Sequence, residues 1–266
     1  MSIPAKRIFV VGGTGFIGSE ICRIAIQRGH DVISLSRRGS PTTNDEHVNK
    51  VKWIKGNVLN KETYSNELKS CDAVVHSMGI LMENDYKKIV NIKPSDLIPK
   101  VNNGPDAQKT PENNKSNQYT YEIANRDSAL TIADAAVGTN VKTFVYISAC
   151  SAPPLIDKRY ITTKREAEVG LAKHKEFKSV FLRPGIVYSY SRLVSLPFAT
   201  GQYAINFLSR KTPLGCIIKK TFLKDFEIPP VSNTDVAIAT IAAIESQAIE
   251  GVVDADEISK LGSTYF

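Results

Sequence analysis

Three glycines at a spacing of three, Gly12, Gly15 and Gly18, separate an apolar run, Ile8-Phe9-Val10-Val11, from an apolar-periodic stretch that continues from Ile17 to Gln27. A buried strand passing through such a turn into a helix restricts the chain to few folds. Gly12 predicts the tight turn, and Gly15 lacks the Cβ that would hold off a diphosphate. Gly18 lets helix and strand pack closely, and the helix N-terminus turns free N–H groups toward an anion. On this pattern Gly12, Gly13, Thr14, Gly15, Phe16, Ile17 and Gly18 form a dinucleotide-binding turn.

The rest of the chain agrees with that start. Strands are predicted over 31–35, 51–54, 73–75, 143–147 and 180–182, with helices over 62–69, 119–136, from about 160, and over 234–245. Strand and helix alternating at this spacing predict a doubly wound α/β Rossmann fold with a parallel sheet. The stretch 83–118 carries Pro94, Pro99, Pro105 and Pro111 among many Asn and Lys, and reads as a polar excursion. The expected organisation is a dinucleotide-binding domain over 1–185 and a small C-terminal substrate or lid region over 186–266, laid across the carboxyl edge of the sheet.

Bulk properties narrow the function classes. The 266 residues are 42% hydrophobic and 23% charged, globular proportions that need no covalent staples. Cys22, Cys71, Cys150 and Cys216 form no CxxC pair, and His30, His47, His76 and His174 show no ligand spacing, so no metal site is expected. His76 reads as a packing residue, the other three as surface or turn residues. No run is long enough to span a bilayer. The net charge of +7 is dispersed, so nucleic acid is not an expected partner. Residues 1–7 are too few for a cleavable presequence, and composition alone predicts a cytosolic protein. Apolar and basic residues alternate over 193–223, which predicts a core-facing lid helix with a solvated flank, or a peripheral membrane contact.

Two constellations carry chemistry. The second strand ends Ser36-Arg37-Arg38, with no carboxylate to hold a ribose 2′-hydroxyl. A guanidinium there suits the 2′-phosphate of NADP(H), with Arg37 placed first and NAD(H) the lesser expectation. Downstream, Tyr160 and Lys164 lie four apart on one helical face, and Ser148 ends the preceding strand, where open α/β sheets place their ligands. Tyr160 would serve as acid or base, tuned toward phenolate by Lys164, with Ser148 anchoring a substrate carbonyl and Lys164 also holding the nicotinamide ribose.

Together these segments resemble the short-chain dehydrogenase/reductase superfamily in its extended or atypical branch. The resemblance adds Asp72 to Gly79, Asn125, Arg183-Pro184-Gly185 and Pro230-Val231 before Asp235-Val236-Ala237. It implies that Ser77, Met78 and Gly79 line the cofactor, that the segment after Arg183, with Pro184, Gly185 and Val187, meets the nicotinamide carboxamide, and that Asn125 is a relay. The chain is further similar to the branch with the nucleotide-binding accessory subunit of respiratory complex I, and within it to fungal mitochondrial proteins of coenzyme Q biosynthesis. Val75 to Asn84, Tyr119-Thr120-Tyr121-Glu122 and Tyr160 to Glu168 carry that likeness.

It implies a mitochondrial setting on the matrix side of the inner membrane, a quinone-related substrate, and a coenzyme Q biosynthetic complex as partner. It also implies a rival role, a non-catalytic NADP(H)-binding subunit of that complex. The family often places an Asp after the third strand to receive the adenine amino group. This chain has Asn57 before Val58, whose side-chain carbonyl is expected to accept instead. Gly13, where relatives carry other small residues, is expected to be a neutral difference.

Overall fold

The computed structural model describes residues 4–41, 46–81, 119–152, 156–189 and 228–265. The excursion at 83–118 and the stretch 193–223 lie outside the described residues.

Seven strands form one parallel sheet: β1 (Arg7–Val11), β2 (Asp31–Ser36), β3 (Lys52–Lys55), β4 (Ala73–His76), β5 (Thr143–Ile147), β6 (Lys178–Leu182) and β9 (Gly251–Val253), in the order β3-β2-β1-β4-β5-β6-β9. A two-stranded parallel pair, β7 (Val187–Tyr188) with β8 (Val231–Ser232), stands beside it. The inner strands are buried on both faces, as near-continuous apolar runs in a parallel sheet must be. Alternation divides their side chains between two cores. Ile8, Val10, Val75 and Val145 face one side, Phe9, Val11, Val74 and Phe144 the other.

On the first face α1 (Phe16–Gln27) packs against α6 (Asn233–Glu245), which in turn packs against α7 (Ala255–Thr264). Residues Val236 to Ile244 of α6 are all buried, as befits a helix apolar on every side. The Ser232 hydroxyl caps it, accepting from the Asp235 N–H at 3.0 Å. The opposite face carries α3 (Ser65–Leu68), α4 (Ser128–Ala136) and α5 (Arg159–Leu171), while the short α2 (Glu46–Lys50) leads into β3.

Three expectations are corrected. Part of the tail does not lie over the carboxyl edge: Val180, Phe181 and Leu182 pair with Gly251, Val252 and Val253, so β9 is the seventh strand of the sheet. The helix predicted over 119–136 opens as a π-turn, Glu122–Asp127, before α4. There the Tyr146 hydroxyl donates to the Asn125 main-chain oxygen at 2.6 Å, and a side chain taking a ladder carbonyl disturbs regular winding. His30 is buried rather than at the surface. It accepts the Lys6 N–H at 3.1 Å and meets the Glu245 carboxylate at 2.9 Å, tying the end of α1 to the end of α6.

The chain runs outward from β1 through β2 to β3, then returns to β4 on the other side of β1. That reversal opens a crevice at the carboxyl ends of β1 and β4, the place where open sheets receive ligands.

Candidate functional site

The glycine turn lies at this crevice. Gly12 has φ +87°, a backbone that side chains rarely adopt, and its turn is closed by the Gly15 N–H donating to the Gly12 oxygen at 2.8 Å. A Cβ on Gly18 would fall 2.3 Å from the Gly12 oxygen and 2.6 Å from the Ser77 hydroxyl, so only glycine lets α1 start this close to the turn. At Gly15, among the described residues, a Cβ would meet just the Gly12 oxygen, at 3.1 Å. Thr14 and Gly15 are exposed, and Phe16 and Ile17 half-buried, at the first turn of α1. Gly13 is not a neutral difference. A Cβ there would lie 2.2 Å from the Ser34 hydroxyl and 2.9 Å from the Cys22 sulfur, so the turn rests on β2 and α1 through a bare main chain.

Ser77 and Met78 form the far wall. The Ser77 hydroxyl donates to the Val11 oxygen at 2.8 Å, and the Met78 nitrogen would stand 3.0 Å from a Cβ on Gly12. Gly79 passes between two expected catalytic residues, where a Cβ would be 3.0 Å from the Asn125 Oδ1 and 3.5 Å from the Lys164 Nζ. A fully buried Asn125 accepts the Ile80 N–H at 3.1 Å and so holds this strand end in place.

At the outer end of the crevice, the Ser36 hydroxyl donates to the Gly39 oxygen at 2.6 Å. Arg37 and Arg38 are exposed beyond it, and the Arg37 guanidinium lies 4.7 Å from the centre of the Tyr119 ring. Asn57 departs from expectation. Its Oδ1 already accepts the Leu59 N–H at 3.1 Å and the Tyr119 hydroxyl at 3.2 Å, so the amide nitrogen, not the carbonyl, is left to address an adenine ring. Val58 beside it is buried.

The inner end holds Tyr160, Lys164, Ser148 and Asn125 around the carboxyl end of β5. The Lys164 Nζ donates to the Ile147 oxygen at 2.9 Å and lies 5.6 Å from the Tyr160 ring centre. Burial drives the Lys164 ammonium down to a pKa of about 7. Burial also pushes the Tyr160 phenol up, with the nearby Cys150 and Tyr121 adding to it. Lys164 therefore does not tune Tyr160 toward phenolate in this arrangement, and Tyr160 holds its proton at neutral pH.

Ser148 is also engaged differently. Its hydroxyl accepts from Arg165 at 3.0 Å, while the other Arg165 nitrogen donates to the Ala149 and Cys150 oxygens at 2.7 and 2.9 Å. Arg165 in turn pairs with Glu168 at 2.8 Å, and Glu168 pairs with Arg183. Burial raises Glu168, but hydrogen bonds from Arg183 and the Ser148 hydroxyl, with the two guanidinium charges, outweigh it and leave the carboxyl below its ordinary value. The Pro184 oxygen accepts the Cys150 N–H at 2.9 Å, and Gly185 backs onto the Pro229 main chain, where a Cβ would be 2.8 Å from the oxygen. Val187 follows in β7. Arg165 and Tyr119 were missed in the sequence. Arg165 could have been found from its i,i+3 spacing to Glu168; Tyr119 had no local signal.

His76 is buried beneath this cluster as a packing residue, 2.8 Å from the Ser128 hydroxyl and stacked on Tyr146 at 5.5 Å, with burial holding its pKa at about 3. Among the described residues no group of three or more His, Cys, Asp or Glu side chains is arranged to hold a metal, and no helix is long and apolar enough to cross a membrane.

The open main chain at Gly15, the carboxylate-free end of β2 and the crevice between β1 and β4 fit a dinucleotide. A family profile described as NAD(P)H-binding matches residues 12–191. The chain belongs to the NAD(P)H-binding family. This family member is 32% identical to "MIOREX complex component 2" of Saccharomyces cerevisiae, over 96% of this chain and 99% of that protein. It is 26% identical to an uncharacterized chloroplastic protein of Arabidopsis thaliana, over 97% of this chain and 78% of that one. In fold it is similar to the Bordetella bronchiseptica enzyme WbmH in complex with NAD+, with a TM-score of 0.59 at 17% identity, over 94% of this chain and 76% of the other. The NAD(P)H-binding turn and the seven-stranded sheet are thus those of a short-chain dehydrogenase/reductase type of protein.

Proposed function

We propose that this chain is an NADP(H)-dependent oxidoreductase that reduces a carbonyl group, with a quinone-related compound of mitochondrial coenzyme Q biosynthesis as its substrate. The observation that carries the reading is the pairing of an open glycine turn with a protonated Tyr160 beside Lys164 at the carboxyl end of the same sheet. A nicotinamide dinucleotide bound by Gly12 to Gly18 would provide the hydride chemistry for a carbonyl placed at this strand end. Tyr160 carries the proton that the carbonyl oxygen would take up; burial makes the phenol a weaker acid, so the transfer has to be drawn by the more basic alkoxide that develops on that oxygen. The Ser148 hydroxyl accepts from Arg165 and gives its O–H to Glu168, and would turn from that carboxylate to serve the substrate oxygen. Gly12 to Gly18 hold the diphosphate, Arg37 and Arg38 the 2′-phosphate, Ser77 to Gly79 flank the cofactor, and Pro184 to Val187 border the nicotinamide end. Asn125 acts through Gly79 and Ile80 as a positioning residue.

The quinone substrate and the mitochondrial placement, on the matrix side of the inner membrane, rest on the sequence resemblance. The Arabidopsis relative's description as chloroplastic supports an organellar setting in general. A second reading, a non-catalytic NADP(H)-binding subunit of an organellar assembly, is favoured by the phenol that Lys164 does not activate and by the relative named as a complex component.

Screening quinone precursors and simple carbonyls for NADPH oxidation separates the two. The catalytic reading expects turnover that falls about 100-fold or more in Tyr160→Phe while NADPH affinity stays within about twofold. No turnover of any precursor, with NADPH still bound, supports the subunit reading.

A further inference from the structure

Three side chains from three separate segments meet at the outer end of the crevice. Arg37 follows β2, Asn57 follows β3, and Tyr119 precedes the π-turn. The Arg37 guanidinium lies 4.7 Å from the Tyr119 ring centre, and the Tyr119 hydroxyl is held 3.2 Å from the Asn57 Oδ1. Asn57 is itself fixed by the Leu59 N–H at 3.1 Å, so the ring has a rigid anchor. Among the described residues Arg37 has no carboxylate partner. Among those residues no ion pair compensates its charge, and an aromatic ring restricts where it can go.

We propose that Tyr119 is a specificity-determining residue of the adenosine subsite, which holds the Arg37 fork ready for the 2′-phosphate that distinguishes NADP(H) from NAD(H). An unsupported arginine at a strand end samples many rotamers, and ordering it on binding opposes association. A guanidinium against an aromatic ring keeps N–H donors at its edge free for phosphate oxygens while losing much of that freedom beforehand. The hydroxyl's bond to Asn57 gives the ring its place, and the ring gives Arg37 its place. The inference rests on the NADP(H) reading above and deepens it.

The test compares wild type, Tyr119→Leu, Tyr119→Phe and Arg37→Ala in calorimetric titrations with NADPH, NADH and adenosine 2′,5′-bisphosphate, with thermal melts to confirm folding. Tyr119→Leu is expected to weaken NADPH and the bisphosphate about three- to tenfold and NADH by less than twofold, the scale of a lost exposed cation–π contact plus re-ordering of one arginine. Tyr119→Phe keeps the ring but loses its anchor on Asn57, and is expected to fall between wild type and Tyr119→Leu.

Four results overturn the inference: Tyr119→Leu leaves NADPH affinity unchanged, tightens it, or weakens both nucleotides alike, or Tyr119→Phe loses as much as Tyr119→Leu. A wild-type protein with no preference for NADPH, or an Arg37→Ala variant that binds it as tightly, overturns the NADP(H) reading itself. Those two results differ from failure of Tyr119 alone, in which wild type and Arg37→Ala behave as expected and Tyr119→Leu does not.

Discussion

Gly15 sits at the head of α1 with φ −80° and ψ 172°, an extended conformation that alanine adopts without strain. Among the described residues an added Cβ there meets one atom, the Gly12 oxygen at 3.1 Å, which must yield by a few tenths of an ångström. Replacing a glycine at a permitted φ gains about 0.4–1 kcal/mol through the unfolded chain, and the tight contact offsets a similar amount. Gly15→Ala should therefore keep its stability within about 1 kcal/mol, a shift of about 2–4 °C in Tm. Binding responds differently, because the new methyl stands where a diphosphate must approach the main chain. Losing one charge-assisted hydrogen bond costs about 1.5–3 kcal/mol, which raises the Kd for NADPH about 10- to 100-fold. Titration calorimetry and thermal unfolding on the same preparation read both quantities. Gly18→Ala is the contrasting control. Its Cβ would fall 2.3 Å from the Gly12 oxygen, so it should also lose about 1–3 kcal/mol of stability through overpacking. Unaltered NADPH affinity in a folded Gly15→Ala protein would refute the role given to this turn.

Two further outcomes follow from the buried charges. Lys164 has a folded pKa of about 7 against an ordinary value of 10.5, so between those limits the unfolded chain binds one more proton and stability rises with pH. Relative to Lys164→Met, whose side chain does not titrate, wild-type stability should climb from pH 7 to 9 by up to about 1.4 kcal/mol per pH unit; a pH-independent difference in denaturant midpoints rules this out. Glu168 has 6% side-chain exposure between Arg165 and Arg183, each about 30% exposed. Glu168→Leu should cost about 3 kcal/mol, the low end for breaking a buried pair because both arginines keep some water, and should lower Tm by about 10 °C; a change under about 2 °C contradicts the network.

Much of the fold is legible from local pattern. The glycine triplet between two apolar periodicities and the runs over 143–147 and 180–182 state their structure in their own residues, because both periodicity and turn chemistry are local. β9 was not legible. Three residues, Gly251-Val252-Val253, carry too little pattern to be told from a loop, and their status depends on pairing with the distant β6 residues Val180, Phe181 and Leu182. The π-turn was hidden for the same reason, since the hydroxyl that takes its Asn125 oxygen arrives on Tyr146 from β5. At the site, sequence placed Tyr160, Lys164, Ser148 and Asn125 together, and the structure does bring them around one strand end. Their protonation and partners depended on burial and on Arg165, which no spacing rule for a phenol and an ammonium contains. Asn57 shows the same limit: its chemistry as an acceptor was readable, but the occupation of its carbonyl by Leu59 and Tyr119 was not.

The central claim is that the main chain between Gly12 and Gly18 receives a nicotinamide dinucleotide carrying a 2′-phosphate. A calorimetric titration of the intact chain with NADPH and, separately, NADH measures it directly. The account predicts saturable one-to-one binding of both, tighter for NADPH, with the difference abolished in Arg37→Ala. Absence of heat and of any Tm shift with either nucleotide, or equal affinity for the two in wild type and variant, contradicts it.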